Sequence, residues 1–146
     1  MNRAVCIDAS AIVALLVTER FTAPAIARWK TWIDDDLRIL APALLGYEVT
    51  SAIYRKVFRT ALDPEDGQAA LKQFVDMDIE YIHLPELHLK ASTLARQFNR
   101  PNTYEAHYLA VADHFSCPLW TADERLFNTV RGKFEWIKWI AESEVH

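Results

Sequence analysis

Four acidic residues sit where a folded chain would need a reason to place them. Asp8 closes the apolar run Ala4–Asp8, and Asp123 comes two residues after the apolar run Pro118–Thr121. Glu48 falls in the first two turns of an expected helix starting at Pro42, and Glu105 in the first turn of one starting at Tyr104. Asp is a poor strand former and is costly to bury without a partner, so Asp directly after Val-Cys-Ile calls for a compensating group. Two carboxylates about 5 Å apart repel by roughly 3 kcal/mol at an effective dielectric of about 20. A cluster of four is tolerable only around a cation or a shared proton. Oxygen-only donors select hard ions, which makes Mg²⁺ or Mn²⁺ the expected cofactor. Such an ion can activate water and neutralise charge growing on a phosphate, which is what phosphodiester hydrolysis requires. Taken singly, the acids have plainer roles: Glu48 and Glu105 as helix-start charges, Asp8 and Asp123 as turn or cap residues.

The elements that must position these residues follow from hydrophobic spacing. Ala4–Asp8 reads as a strand, followed by a helical stretch to Val17 with Ser10 as candidate N-cap. Ile26, Trp29, Trp32 and Ile33 mark a helix from near Pro24 to Ile33, and Leu37–Ala41 a second strand. Pro42 is expected at the first position of a helix reaching Arg59, and another helix runs from Pro64 to Val75. Ile79–Leu84 reads as a strand, and Pro85 opens a helix whose buried stripe is Leu87, Ala91, Leu94 and Phe98. Asn102 or Thr103 caps a helix from Tyr104 to His114; Pro118–Thr121 is a strand, Ala122–Val130 helical and Phe134–Trp139 strand-like. Strands alternating with helices predict an α/β fold with a central parallel sheet covered on both faces. Ligands of such sheets bind beyond the strands' carboxyl ends, where the strand order reverses. Asp8 and Asp123 both belong to that edge.

The 146 residues fit one domain, taken as residues 1–146, and a chain of this size buries a full core. The opening residues lack a signal-peptide pattern, and Ala9–Val17 is too short to span a bilayer, so a cytoplasmic location without membrane contact is expected. Cys6 and Cys117 lie in or beside apolar strand-like runs and are expected as reduced core thiols. A net charge of −4 means that any nucleic acid must be held by a local basic patch and by metal ions.

Four stretches carry a family pattern: Val5-Cys6-Ile7-Asp8-Ala9-Ser10, Gly46-Tyr47-Glu48-Val49, Thr103-Tyr104-Glu105-Ala106-His107 and Pro118-Leu119-Trp120-Thr121-Ala122-Asp123. In these, and over its whole length, the chain resembles the PIN-domain ribonucleases, particularly the toxins of VapBC-type toxin–antitoxin pairs. The resemblance implies a three-layer α/β/α domain and a metal-dependent endoribonuclease, with Asp8, Glu48, Glu105 and Asp123 as catalytic and metal-holding residues. It further implies Ser10 as a support for the first acid or its metal water, with Thr121 as a further supporting residue. RNA is the implied substrate and a small antitoxin the implied partner; a second copy of the chain is a further partner, read from tryptophan surface left outside the core. One position departs from the pattern, because the family usually has Asp where this chain has Glu105. The extra methylene moves the carboxylate outward by about 1.5 Å, enough to matter to a metal distance. A catalytically impaired RNA- or partner-binding domain is therefore the alternative expectation.

Arg55 and Arg59 follow Glu48 by seven and eleven residues, close to its helical direction, and are candidate RNA phosphate contacts. His107 and His114 point away from Glu105, and His83 and His88 lack ligand spacing, so no histidine is expected in the site. Trp29, Trp32, Trp136 and Trp139 are expected in the core by default. A phosphatase with Asp8 as nucleophile is disfavoured, because Ser10 stands where such enzymes place a second Asp.

Overall fold

The computed structural model describes residues 3–143. In chain order the elements are β1 (Ala4–Ile7), α1 (Ala9–Leu16), α2 (Thr22–Asp34), β2 (Arg38–Pro42), α3 (Leu44–Phe58) and α4 (Pro64–Val75). They continue as β3 (Glu80–Ile82), α5 (Glu86–Gln97), α6 (Tyr104–Phe115), β4 (Leu119–Thr121), α7 (Glu124–Val130) and β5 (Ile137–Trp139). The five strands form one sheet in the order β3-β2-β1-β4-β5, and every pairing is parallel. Helices cover it as expected, in a three-layer α/β/α arrangement: α1 and α3 pack with α2 and α4, while α6 lies on β1, β2 and β4 and carries α5.

The central strand β1 is buried along Val5, Cys6 and Ile7. That is the burial expected of a parallel strand with helices on both sides, where no face is left for water. The helix α6 behaves likewise, burying Ala106 and then Tyr108 through Ala112 against the sheet. Cys6 and Cys117 are both buried free thiols, as their apolar contexts require. Trp32 is buried, and Trp29, Trp120 and Trp136 pack partly buried against the core.

Two expected helix starts are corrected, and a third, that of α6 at Tyr104, stands as expected. Pro42 is the last residue of β2, not the first of a helix, and α3 begins at Leu44 after Ala43. Proline's fixed φ suits an edge or end of a strand as well as a helix start, so the residue alone does not choose. Asp8, not Ser10, is the N-cap of α1: its side chain accepts from Ala11 N–H, which frees Ser10 to turn inward. Thr103 is the N-cap of α6 but makes no side-chain cap bond, while Asn102 Oδ1 accepts from Tyr104 N–H at 3.4 Å.

Candidate active site

The strand order runs outward from β1 in both directions, so the sheet's reversal lies between β1 and β4. Asp8 follows β1 directly and Thr121 ends β4, which places both at the carboxyl edge of this switch point. Both are buried, with 5% of Asp8 and none of Thr121 exposed.

Three donors hold the Asp8 carboxylate. Ser10 Oγ donates to Oδ1 at 2.7 Å and Ala11 N–H to the same oxygen at 3.0 Å, while Thr121 Oγ1 donates to Oδ2 at 2.5 Å. Each hydroxyl has a single proton, so donation to Asp8 leaves its lone pairs for backbone donors. Ser10 Oγ accepts from Ala122 N–H and Thr121 Oγ1 from Asp123 N–H, both at 3.0 Å. Asp8 is therefore tied to the first turn after β4 through two hydroxyls, and one lone-pair position on Oδ2 is left over.

Burial pushes the Asp8 carboxyl up from 3.8 to about 6; the bonds from Thr121, Ser10 and Ala11 oppose this, and the negative charge of Asp123 adds to it. Asp123 itself caps α7, its Oδ1 accepting from Leu126 N–H at 3.2 Å. Glu48, in the second turn of α3, accepts a 2.5 Å hydrogen bond on Oε1 from the Tyr108 hydroxyl of α6. Burial, that bond and the nearby charges of Glu48 and Asp8 all hold the Tyr108 hydroxyl firmly protonated, with its pKa far above the usual tyrosine value.

A cavity of about 500 Å³ opens over this edge, lined among others by Ser10, Glu19, Glu48, Ser51, Arg55 and Ala122. Arg55 thus faces the same space as Glu48. Arg59 sits at the C-cap of α3 and is not among the described residues lining the cavity. Glu105 is engaged elsewhere: its Oε2 pairs with Arg100 at 3.0 Å and its Oε1 with Arg125 at 3.5 Å. Among the described residues no three of His, Cys, Asp and Glu form a ready-made cage for an ion. The structure thus links Asp8, Ser10, Thr121 and Asp123 through one bonded cluster and brings Glu48 and Arg55 to the adjoining cavity. Glu105 is bonded to arginines and not to that cluster.

Sequence reasoning missed Tyr108, Arg100 and Arg125. Tyr108 reads as one more apolar residue on a buried helix, and its partner is 60 positions away. Arg100 lies five positions before Glu105 and across Pro101, outside any helical spacing. No histidine belongs to the bonded cluster. His88 and His107, however, are bonded to each other at 2.9 Å, a pairing that their positions on separate helices conceal.

A family model described as PIN domain matches residues 5–133. The crystal structure of PAE2754 from Pyrobaculum aerophilum is similar at a TM-score of 0.69 and 21% identity, covering 96% of this chain and 91% of that one. VapC20 of Mycobacterium tuberculosis, described as a sarcin-ricin loop cleaving toxin, is similar at a TM-score of 0.66 and 15% identity, covering 90% of this chain and 96% of its own. No curated protein matches the sequence. The matched stretch begins inside β1, includes Asp8, Glu48, Glu105 and Asp123, and runs past α7; this chain belongs to the PIN domain family.

Proposed function

We propose that residues 1–146 form one nuclease domain, a divalent-metal-dependent endoribonuclease hydrolysing RNA phosphodiester bonds, and that the chain is the toxin of a toxin–antitoxin pair. The observation that carries this reading is Asp8: a buried carboxylate at the switch point, fixed by Ser10, Thr121 and Ala11, with one lone-pair position uncommitted. A protein that needed only a cap at α1 would have no reason to bury the charge and anchor it on both oxygens. Membership of the PIN domain family and the fold shared with VapC20, itself described as a toxin, support the same reading.

The donors present suit a small hard cation. Asp8, Glu48 and Asp123 offer oxygen only, and Mg²⁺ is ordinarily held by one or two carboxylates, with waters and substrate phosphate completing its shell. A three-carboxylate cage is therefore not required, and Asp8 with Glu48 would hold the ion directly. When bound, the ion supplies an activated water and neutralises charge on the phosphate. The chain's own residues do the remaining work. Ser10 and Thr121 fix the Asp8 carboxylate so that no reorganisation is needed during reaction. Tyr108 fixes Glu48 in the same way, and Arg55 offers a guanidinium to phosphate in the cavity. Arg100 and Arg125 pair with Glu105, the remaining acid of the proposed set.

A small antitoxin and a cytoplasmic location belong to the same proposal. Among the described residues no helix is long and apolar enough to cross a membrane. RNA cleavage with Mg²⁺ or Mn²⁺ present, and with the metal chelated, tests the core of it. Metal-dependent cleavage by the wild type and none by Asp8→Asn is the expected result; cleavage by Asp8→Asn at the wild-type rate overturns the reading.

A further inference from the structure

A second cavity, of about 340 Å³, lies between the ends of β2 and β3 and the first turns of α3, α5 and α6. Tyr47 lines both this cavity and the one holding Glu48, so a single side chain forms their common wall. Leu84 and Leu87 contribute apolar surface, and Tyr104 stands at the edge, adjacent in sequence to Glu105. Tyr47 is 77% exposed and Tyr104 57%, so neither ring is used to fill the core.

The polar part of the lining is organised. His107 Nδ1 lies 2.7 Å from the Thr103 carbonyl, which can only accept, so the proton of His107 is on Nδ1. With a neutral ring, His107 Nε2 accepts from His88 Nδ1 at 2.9 Å. The pair's remaining ring nitrogen is His88 Nε2. A mostly apolar cavity of this size with few fixed polar groups has the character of a small-molecule site. Flat aromatic faces beside a hydrogen-bonding edge match one chemical class in particular, a nucleobase, which stacks by its face and is read by its edge.

We propose that this cavity takes one base of a single-stranded RNA, splayed away from its neighbours, while the adjoining phosphate occupies the Glu48 cavity. The proposal rests on the nuclease reading above. The shared Tyr47 wall makes the two cavities contiguous, so a base and its adjoining phosphate can be held side by side.

The test is fluorescence anisotropy with a short labelled single-stranded RNA and with a strand of equal length lacking bases, both in EDTA. Under the proposed metal dependence chelation stops cleavage, so binding is read by itself, and cleavage assays report on the reaction separately. Tyr104→Ala should weaken binding of the base-bearing strand by about 5- to 100-fold, the loss expected for one stacked base. Tyr104→Phe, which keeps the ring, should restore it, and the base-free strand should bind the wild type and Tyr104→Ala equally. Unchanged affinity in Tyr104→Ala, or an equal loss on both strands, overturns the proposal. So does a loss accompanied by a shift of the free protein from dimer to monomer in sedimentation, which would assign the cavity to a second copy of the chain.

Discussion

Asp8 holds its proton at about pH 6 in the folded chain, against 3.8 for an ordinary aspartate, because burial outweighs the three hydrogen bonds that favour its charge. The folded state therefore binds more protons than the unfolded one between those values, and stability falls as pH rises through that window. Above about pH 6 the cost is complete, at an upper limit of about 3 kcal/mol. Asp8→Asn, which cannot ionise, should melt up to roughly 5–10 °C higher than wild type at pH 7.5 in EDTA, with the gap closing as pH approaches 4. A pH-independent gap would show that the charge was not its cause. The same variant should have no metal-dependent cleavage. Tyr108→Phe removes the hydroxyl that donates to Glu48; cleavage should fall about tenfold with the fold kept, as expected for loss of one hydrogen bond to a charged group. At this scale the sequence exposes residues whose partners are local: Asp8 and Asp123 stand at strand ends, and Ser10 is two residues from the carboxylate it serves. Tyr108 and the arginines at Glu105 are invisible to it because their partners come from other elements.

The helices show where element boundaries can be read and where they cannot. Pro64 starts α4 and Val75 ends it as the pattern predicts, since proline at the first position and the apolar period agree. Four helices instead end near Asp36, Thr60, Asn99 and Ser116, all in the left-handed conformation that glycine usually supplies. With three glycines in the whole chain, these stops carry no glycine signal. The glycines that exist do other work. A Cβ at Gly67, on the buried face of α4, would lie 2.7 Å from Val57 Cγ2 of α3, so this glycine sets the α3–α4 approach. Gly67→Ala should destabilise by about 1–2 kcal/mol net, the clash exceeding the helix-propensity gain. Gly46→Ala, with nothing within 4 Å of its added Cβ, should stabilise by about 0.5–1 kcal/mol. Urea denaturation of both variants reads the two signs together; equal signs would contradict the packing argument.

For the whole molecule, alternation of strands and helices was enough to foretell a parallel sheet, because parallel strands require crossovers and crossovers bury both faces. The strand order was not legible, since nothing local in Pro118–Thr121 says that β4 inserts beside β1. A metal that binds only the folded chain should raise its stability by mass action, about 2.7 kcal/mol at a hundredfold excess over Kd. Thermal melts in rising Mn²⁺ should therefore climb for the wild type and stay flat for Asp8→Asn. A parallel climb in both would place the ion away from Asp8.

Ser10 and Thr121 stand 111 positions apart, and Asp8 is held on both oxygens only once Thr121 joins Ser10 and Ala11. During synthesis at about 5–20 residues per second, Thr121 follows Ser10 by roughly 5–20 s. Over that interval β1 can have β2 beside it but not β4, and the Cys6 amide lacks the Pro118 carbonyl that receives it in the finished fold. The carboxylate cradle is completed late in translation, so a ribosome making this chain carries Asp8 without its second anchor for most of the time it takes to build it.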